Sequence, residues 1–363
     1  MTPQPQAGFD PDEVPPWERP TEGASEVEVR VSVAAAARAV SGGAVLDVPD
    51  AVPSRWGEGE RSLWARGEPF LLCGPDGVGK TTLAQQIVLH LTGVRTGPLL
   101  GLPVEPARRV LYLACDRPAQ AMRSFRRMVT EDDRPLLDDR LVVWRGPLPF
   151  DGAREDTGLL AMATELGADV LVLDSVKDIA ADLSKEEAGQ GINMALQRCV
   201  AAGIDVLGLH HQRKAQANAG KPKALADVYG SRWITAGAGS VAMLWGEAGD
   251  SVVELSHLKQ PSESVGPMKI VHDHTTGTTT VAEQVDAWSA VKGATRGITA
   301  GGAAMIMFGE PTPDRNAIEK ARRQLDRLAR DGKVHRKEGA RGGKAGGEAT
   351  TYYPLTLLPG GAE

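Results

Sequence analysis

Residues 71–86, LLCGPDGVGKTTLAQQ, join an apolar strand to a glycine-rich turn and the start of a helix. The turn matches G-x-x-x-x-G-K-[ST] through Gly74, Gly79, Lys80 and Thr81. Glycines let backbone N–H groups wrap phosphates, the lysine reaches the β- and γ-phosphates, and the hydroxyl binds Mg²⁺. The pattern therefore predicts ATP and Mg²⁺ as cofactors. The predicted nucleotide-binding residues are Gly74, Pro75, Asp76, Gly77, Val78, Gly79, Lys80, Thr81 and Thr82.

Two carboxylates follow apolar strands at positions where they can act on this nucleotide. Asp174 ends the most apolar strand, ADVLVLDS, and is predicted to hold the magnesium together with Thr81. Asp116 ends the strand VLYLACD, which we place next to the P-loop strand. It can orient the attacking water, or it can cap the helix that begins at Arg117-Pro118. Spacing alone leaves both roles for Asp116 open.

Polar and basic residues follow the next strand, DVLGLH. His210 or His211 can contact the γ-phosphate and report its presence; the alternative is a solvated strand end. Residues 212–232 carry basic and small side chains with little apolar periodicity, and Arg213 and Lys214 lie at their start. A loop of this kind can grip a phosphate backbone, and a plain exposed loop is the competing interpretation.

Length and composition limit the class of protein. The chain has 363 residues with 42% hydrophobic content and a net charge of −6, so a nucleic-acid-binding surface must be local. Cys73, Cys115 and Cys199 lie far apart in apolar stretches, which indicates buried thiols in a reducing compartment. The N-terminus has no signal segment, and no apolar run approaches about 20 residues. We therefore expect a cytoplasmic protein without a membrane partner.

The order of apolar segments predicts an α/β fold. Between residues 69 and 210, continuous apolar strands alternate with amphipathic helices, which predicts a mostly parallel sheet with helices on both faces. Residues 240–282 form short strands with turn signals, which predicts an antiparallel extension of that sheet. The predicted units are a disordered, acidic, Pro-rich tail over 1–25, an ATPase domain over 26–284, a linker over 285–298 and a small C-terminal winged-helix domain over 299–358.

The winged-helix prediction depends on local signals near the C-terminus. Thr299 can cap a short helix, and Pro313-Asp314 opens a longer one that ends at Gly332. KVHRK and TTYYPL then predict two strands around a Gly-rich loop. Residues 315–344 hold eleven Lys/Arg and four Asp/Glu, a local excess that fits DNA or RNA contact. A basic face on a protein-contact module remains the alternative. The predicted DNA contacts here are Arg322, Arg323 and Arg327.

With these motifs the chain resembles the RecA-like P-loop ATPases, and within them the RepA-like and DnaB-like hexameric helicases of actinobacterial, plasmid or phage type. The resemblance covers about residues 40–283 and follows the ordered motifs GPDGVGKTT, VLYLACDRP, VLVLDS, LHHQRK, YGSRWITAGAGSVAMLW and LSHLKQPSESVGP. That group usually has Glu as the water-orienting base, where this sequence has Asp116. The resemblance implies a homo-oligomer as the functional unit, either a hexameric ring or a filament, with nucleotide bound between subunits.

The resemblance also implies roles for two later segments. GSRWITAGAGS is similar to the segment that lines the central channel, which implies single-stranded DNA contacts by Gly230, Ser231 and Arg232. HLKQP is similar to the segment that places a basic residue against a neighbour's γ-phosphate, and Lys259 matches that position. The companion arginine common in the group is replaced by Pro261.

Three functions compete at this point. The first is an ATP-driven motor on single-stranded DNA, a replicative helicase or helicase-like ATPase that works with replication proteins such as a primase. The second is a recombinase-like or regulatory DNA-binding ATPase that uses ATP as an assembly switch without unwinding. Asp116 and Pro261 favour this second function, because both fit slow turnover. The third is a partition or transcription regulator whose winged helix reads a duplex site.

Overall fold

A computed structural model describes residues 38–48, 51–212, 224–282, 286–294, 296–309, 312–339 and 349–355. The tail predicted over 1–25 lies outside these residues. The strands of the described part are β1 (Ser54–Glu58), β2 (Arg61–Ala65), β3 (Phe70–Gly74), β4 (Val110–Ala114), β5 (Leu141–Arg145), β6 (Val170–Asp174), β7 (Asp205–His211), β8 (Ser240–Trp245), β9 (Val252–Lys259), β10 (Met268–His272), β11 (Thr279–Val281), β12 (Ile298–Thr299), β13 (Val334–Lys337) and β14 (Thr351–Pro354). The helices are α1 (Lys80–Leu91), α2 (Pro118–Met128), α3 (Arg134–Arg140), α4 (Gly158–Glu165), α5 (Glu186–Ala201), α6 (Arg232–Ala236), α7 (Ala287–Lys292), α8 (Ala300–Phe308) and α9 (Arg315–Arg330).

Nine strands form the central sheet, in the order β11-β10-β9-β8-β3-β7-β6-β4-β5. The six strands from β8 to β5 are parallel, and β9, β10 and β11 continue the sheet with antiparallel pairing. This arrangement confirms the predicted α/β fold with a mostly parallel sheet. Parallel strands point their carboxyl ends to one edge, so the loops that follow β3, β4, β6 and β7 meet there.

Both faces of β3, β4, β6 and β7 are buried, which explains their continuous apolar sequences. In β3, Leu72 packs on one face in a core that contains Ile87 of α1. Its neighbour Leu71 packs on the other face in a core that contains Leu196 of α5. All four side chains are at most 1% exposed, and burial of each contributes about 1.5–3 kcal/mol. The two cores hold the sheet rigidly behind the loops at its carboxyl edge.

Two details of the sheet differ from the sequence prediction. Strand β4 is not adjacent to the P-loop strand β3, because β7 and β6 lie between them. Strand β8 pairs with β3 in parallel, so the antiparallel extension begins at β9. Sequence patterns predict which segments are buried strands but do not predict which strands pair, because pairing depends on long-range packing.

Strands β1 and β2 form an N-terminal hairpin that is not among the strands predicted from the sequence. The two strands pair around the turn at Gly59-Glu60. Trp56 and Trp64 are fully buried and pack against Phe70 of β3. The hairpin therefore closes one end of the core that contains α1.

The C-terminal residues form a separate three-stranded sheet, β12-β14-β13, with α7, α8 and α9 around it. Thr299 caps α8 and Asp314 caps α9 through their side-chain oxygens, as the local sequence suggested. The segment predicted as a linker, 285–298, contains α7, and Ala290 and Val291 of that helix join the C-terminal core. The winged-helix assignment itself stays a prediction. Within the described ranges, no helix has the length and apolar character needed to cross a bilayer.

Candidate functional site

The turn between β3 and α1 has the shape of a phosphate cradle. Gly74, Gly77 and Gly79 have φ values of 156°, 76° and 90°, which side chains rarely adopt. A Cβ on Gly74 would lie 2.5 Å from the Leu244 carbonyl oxygen, and one on Gly79 would overlap the His272 ring. Only glycine fits at these positions, so the backbone N–H groups of the turn remain open to a ligand. The residues present therefore fit a nucleotide polyphosphate.

Lys80 begins α1 and lies against this turn. Its Nζ donates hydrogen bonds to the carbonyl oxygens of Gly74 at 2.9 Å and Pro75 at 2.7 Å. Burial lowers the pKa of the Lys80 ammonium, and the charges of Asp76 and Asp174 oppose this shift. A cation held in this way on the turn is placed to meet phosphate oxygens.

Asp174 lies at the end of β6, opposite the start of α1. Thr81 Oγ1 donates to its Oδ2 at 3.1 Å, and the Tyr112 hydroxyl donates to the same oxygen at 2.5 Å. Burial raises the pKa of Asp174, while the hydrogen bonds from Tyr112 and Thr81 lower it. A carboxylate and a hydroxyl are the hard oxygen ligands that Mg²⁺ prefers, so this pair fits the predicted magnesium site.

Tyr112 is the residue of this group that sequence reasoning missed. It is fully buried in β4, and burial together with Asp174 raises the pKa of its phenol well above the usual value. Its hydroxyl and that of Thr81 both bind Oδ2, which leaves Oδ1 of Asp174 with a single long contact of 3.4 Å to Thr81. The sequence feature that could have pointed to Tyr112 is a single phenol in an otherwise aliphatic strand, VLYLA.

We expect Tyr112→Phe to reduce magnesium-dependent ATP hydrolysis by about 10- to 100-fold, the usual cost of losing a group that orients a metal ligand. The physical reason is that Asp174 loses its shortest hydrogen bond and with it a fixed orientation. The measurement is the hydrolysis rate as a function of magnesium concentration. Tyr352→Phe is the matched control, because Tyr352 donates to Asp326 at 2.7 Å from a buried position in the C-terminal unit. Equal magnesium dependence in both variants would contradict the prediction.

These groups open into a cleft of 940 Å³ at the carboxyl edge of the sheet. Asp116 lies on its wall, 43% exposed, with its Oδ2 3.6 Å from Lys177 Nζ. It does not cap α2, because Arg117 occupies the N-cap position and no side chain caps that helix. Asp116 is therefore available to the cleft although two strands separate β4 from β3.

Four arginines near α2 also line the cleft and were not singled out by sequence reasoning. They are Arg117, Arg123, Arg126 and Arg127. Arg127 donates to the carbonyl of His274, which ties α2 to the turn after β10. The signal in the sequence was the clustered spacing of these arginines directly after Asp116. They give one wall of the cleft a positive potential that suits a polyphosphate.

The two predicted histidines point to different places. His210 is fully buried, its Nε2 lies 2.7 Å from the Tyr229 carbonyl oxygen, and burial lowers its pKa to about 4. It does not line the cleft. His211 does, and its Nδ1 lies 2.8 Å from Asp76 Oδ1. Alternation along β7 separates the two rings, so of the two predicted histidines His211 is the one that lines the cleft, and the contact with a bound nucleotide stays a prediction for His211.

Lys259 is not brought to the cleft of its own chain. Because β9 runs antiparallel to β8, its carboxyl end lies at the opposite edge of the sheet from the P-loop. Lys259 Nζ donates to the carbonyl oxygens of Thr235 at 3.3 Å and Ala236 at 2.9 Å, at the end of α6. Within one chain it is a helix-capping lysine, and the catalytic prediction for it would require a neighbouring subunit.

The predicted DNA contacts are divided between several places. Arg213 and Lys214 lie outside the described residues. Gly230 has φ 90°, Ser231 caps α6 through its side chain, and Arg232 is exposed at the first position of that helix. On α9, Arg322 and Arg323 lie 3.0 and 3.7 Å from Glu319, while Arg327 is exposed.

Similarity to known proteins indicates the family of this chain. No curated protein matches the sequence. Among solved structures, a KaiC-like protein from the hyperthermophilic archaeon Pyrococcus horikoshii OT3 matches with a TM-score of 0.40 and 16% identity, over 65% of this chain and 98% of that one. A sequence model of the AAA domain family matches residues 22–217, which is more than half of the 363 residues. The chain therefore belongs to the AAA domain family, which makes it a P-loop ATPase.

Proposed function

We propose that this ATPase is an ATP-driven motor on single-stranded DNA, a RepA-like replicative helicase or helicase-like ATPase that works as a ring or filament of identical chains. The observation that carries the proposal lies at the end of β7. His211 faces the nucleotide cleft, and the next residue, Gln212, pairs with Val228. The Tyr229 N–H donates to the His211 carbonyl at 3.0 Å. The basic sequence between Gln212 and Val228 thus starts and ends beside His211.

This connection supports coupling between nucleotide and DNA. A change at His211 when the γ-phosphate binds or leaves would act on both ends of the segment that carries Arg213 and Lys214. The exposed Arg232 follows shortly after it. Basic side chains in such a segment would contact the phosphate backbone of DNA without reading its sequence. Arg322, Arg323 and Arg327 of α9 would supply a second contact.

An assembly switch without unwinding is the second candidate, and two observations favour it. Lys259 is engaged with the end of α6, and Pro261 stands where a second cation would be expected. Asp116 lies 3.6 Å from both Lys177 and Arg117, cations that compete with water for its carboxylate. Slow hydrolysis with nucleotide-dependent assembly on DNA would follow from these features.

The deciding experiment measures ATP hydrolysis by the full chain with and without a long single-stranded DNA, alongside Lys80→Ala. For a motor, we expect DNA to raise the rate about tenfold or more, equivalent to about 1.4 kcal/mol of activation free energy, and the mutation to abolish it. A forked duplex with one labelled strand then reports unwinding. Strand displacement supports the motor. A low, flat rate with ATP-dependent DNA binding and no displacement supports the switch and contradicts the motor.

A further inference from the structure

Asp76 of the P-loop contacts the histidine that faces the cleft. Its Oδ1 lies 2.8 Å from His211 Nδ1. The Asp76 side chain is 87% exposed, whereas that of His211 is 20% exposed. The contact therefore joins a carboxylate that can move into solvent to a ring held at the end of β7. Both residues line the same cleft as Lys80.

The contact uses the hydrogen-bond donor of His211. Burial lowers the pKa of His211, the charges of Lys80 and Lys177 lower it further, and those of Asp76 and Asp178 raise it. The net direction is downward, so the ring is neutral at pH 7.5. A neutral imidazole has one N–H, and a hydrogen bond to a carboxylate requires that it sit on Nδ1. A phosphate oxygen that needs this donor must therefore displace Asp76.

Asp76 also opposes phosphate charge directly. Asp76 and Lys80 line the same cleft, so the carboxylate lies on the same wall region as the cation that should meet the β- and γ-phosphates. Asp174 fits a magnesium ligand and Asp116 remains available to orient water. Asp76 fits neither role. Its negative charge repels a triphosphate more than a diphosphate, because the γ-phosphate adds charge near this pair.

We propose that Asp76 is a specificity-determining residue that weakens binding of nucleoside triphosphates relative to diphosphates by holding His211 and by repelling the γ-phosphate. This inference rests on the nucleotide site of the proposed function. When a triphosphate binds, Asp76 moves toward solvent and His211 becomes the donor to the γ-phosphate. The hydrogen bond from His211 to Asp76 is thereby replaced by a hydrogen bond from His211 to the γ-phosphate.

The test compares dissociation constants for Mg-ATPγS and Mg-ADP, measured by calorimetry at pH 7.5 on the full chain. Asp76→Asn keeps the size and an acceptor for His211 but removes the charge, and Asp76→Ala removes both. We expect both variants to bind ATPγS about three- to fivefold more tightly, since an exposed charge contributes about 1 kcal/mol or less, which is about fivefold at most, with ADP affinity changed less than about twofold. Glu60→Gln is the control, because Glu60 is an exposed acid in the β1–β2 turn outside the cleft.

A double-mutant cycle separates the pair from general charge effects. In a His211→Gln background, we expect the gain from Asp76→Ala to be at least about twofold smaller than in the wild type, because part of that gain needs the ring. Equal changes for ATPγS and ADP, or no change in Asp76→Asn, would overturn the inference. Additivity in the cycle would also overturn it. If the unaltered chain binds neither nucleotide, the result contradicts the nucleotide site of the proposed function and not only the role of Asp76.

Discussion

Asp174→Asn is expected to lower magnesium-dependent ATP hydrolysis by at least about 100-fold, because a metal ion contributes several kcal/mol of transition-state stabilisation and each 1.36 kcal/mol is a factor of ten. The asparagine keeps the shape of the side chain and an oxygen that accepts from Thr81 and Tyr112. It removes the negative charge that a hard divalent cation requires. The substitution should therefore reduce the magnesium-dependent hydrolysis rate and leave the fold intact.

The measurement is the hydrolysis rate over a range of magnesium concentrations, together with ADP affinity in the presence of a chelator. ADP affinity without metal should change less than about threefold, because Lys80 and the glycine turn remain intact. Asp169→Asn is the matched control. Asp169 precedes the same strand at its other end, where its carboxylate accepts from the N–H groups of Arg108 and Arg109. Hydrolysis retained in Asp174→Asn would contradict the assignment of this carboxylate to magnesium.

Arg55→Leu is expected to lower the free energy of unfolding by about 3–5 kcal/mol, the cost of leaving one partner of a buried ion pair without the other. Arg55 is 1% exposed, and its Nε and Nη2 donate to Asp205 Oδ2 at 2.9 and 2.7 Å. Its Nη1 donates to the carbonyl of Pro106 at 3.0 Å. These bonds join the N-terminal hairpin to the start of β7, and leucine can make none of them.

Urea unfolding of the full chain, followed by a signal from the ATPase core, measures this effect. Lys185→Ala is the control, because Lys185 and Asp182 form an exposed pair whose loss should leave the urea midpoint nearly unchanged. Adding Asp205→Asn to Arg55→Leu should restore part of the lost stability, since the buried group is then neutral. A cost below about 1 kcal/mol for Arg55→Leu would contradict the prediction.

The parts of the site that could be predicted are those with local chemistry. Gly74, Gly79 and Lys80 follow from a short pattern because a loop that wraps phosphates needs glycine and a lysine at fixed spacing. Asp174 follows from a carboxylate at the end of a very apolar strand. The caps Thr299 and Asp314 follow from side chains that bond N–H groups within three residues. In each case the determining atoms lie close together in sequence.

The parts that could not be predicted depend on contacts between distant residues. Tyr112 meets Asp174 across 62 positions, and Arg55 meets Asp205 across 150. Neither pairing can be predicted from hydrophobic periodicity or secondary-structure propensity. The N-terminal hairpin belongs to the same class, because its strands are defined by the burial of Trp56 and Trp64 in a core assembled from later elements.

By itself, the sequence determined that this protein has a P-loop, a buried parallel sheet and a carboxylate at the end of its most apolar strand, because glycine spacing and apolar runs act locally. Tertiary structure alone decided the order of strands, the choice of His211 over His210 for the cleft, and the position of Lys259 at the far edge of the sheet. The physical reason is that strand pairing and side-chain direction are set by packing over the whole chain. The sequence of a strand determines that the strand is buried, whereas the elements packed around it determine which residues its side chains contact.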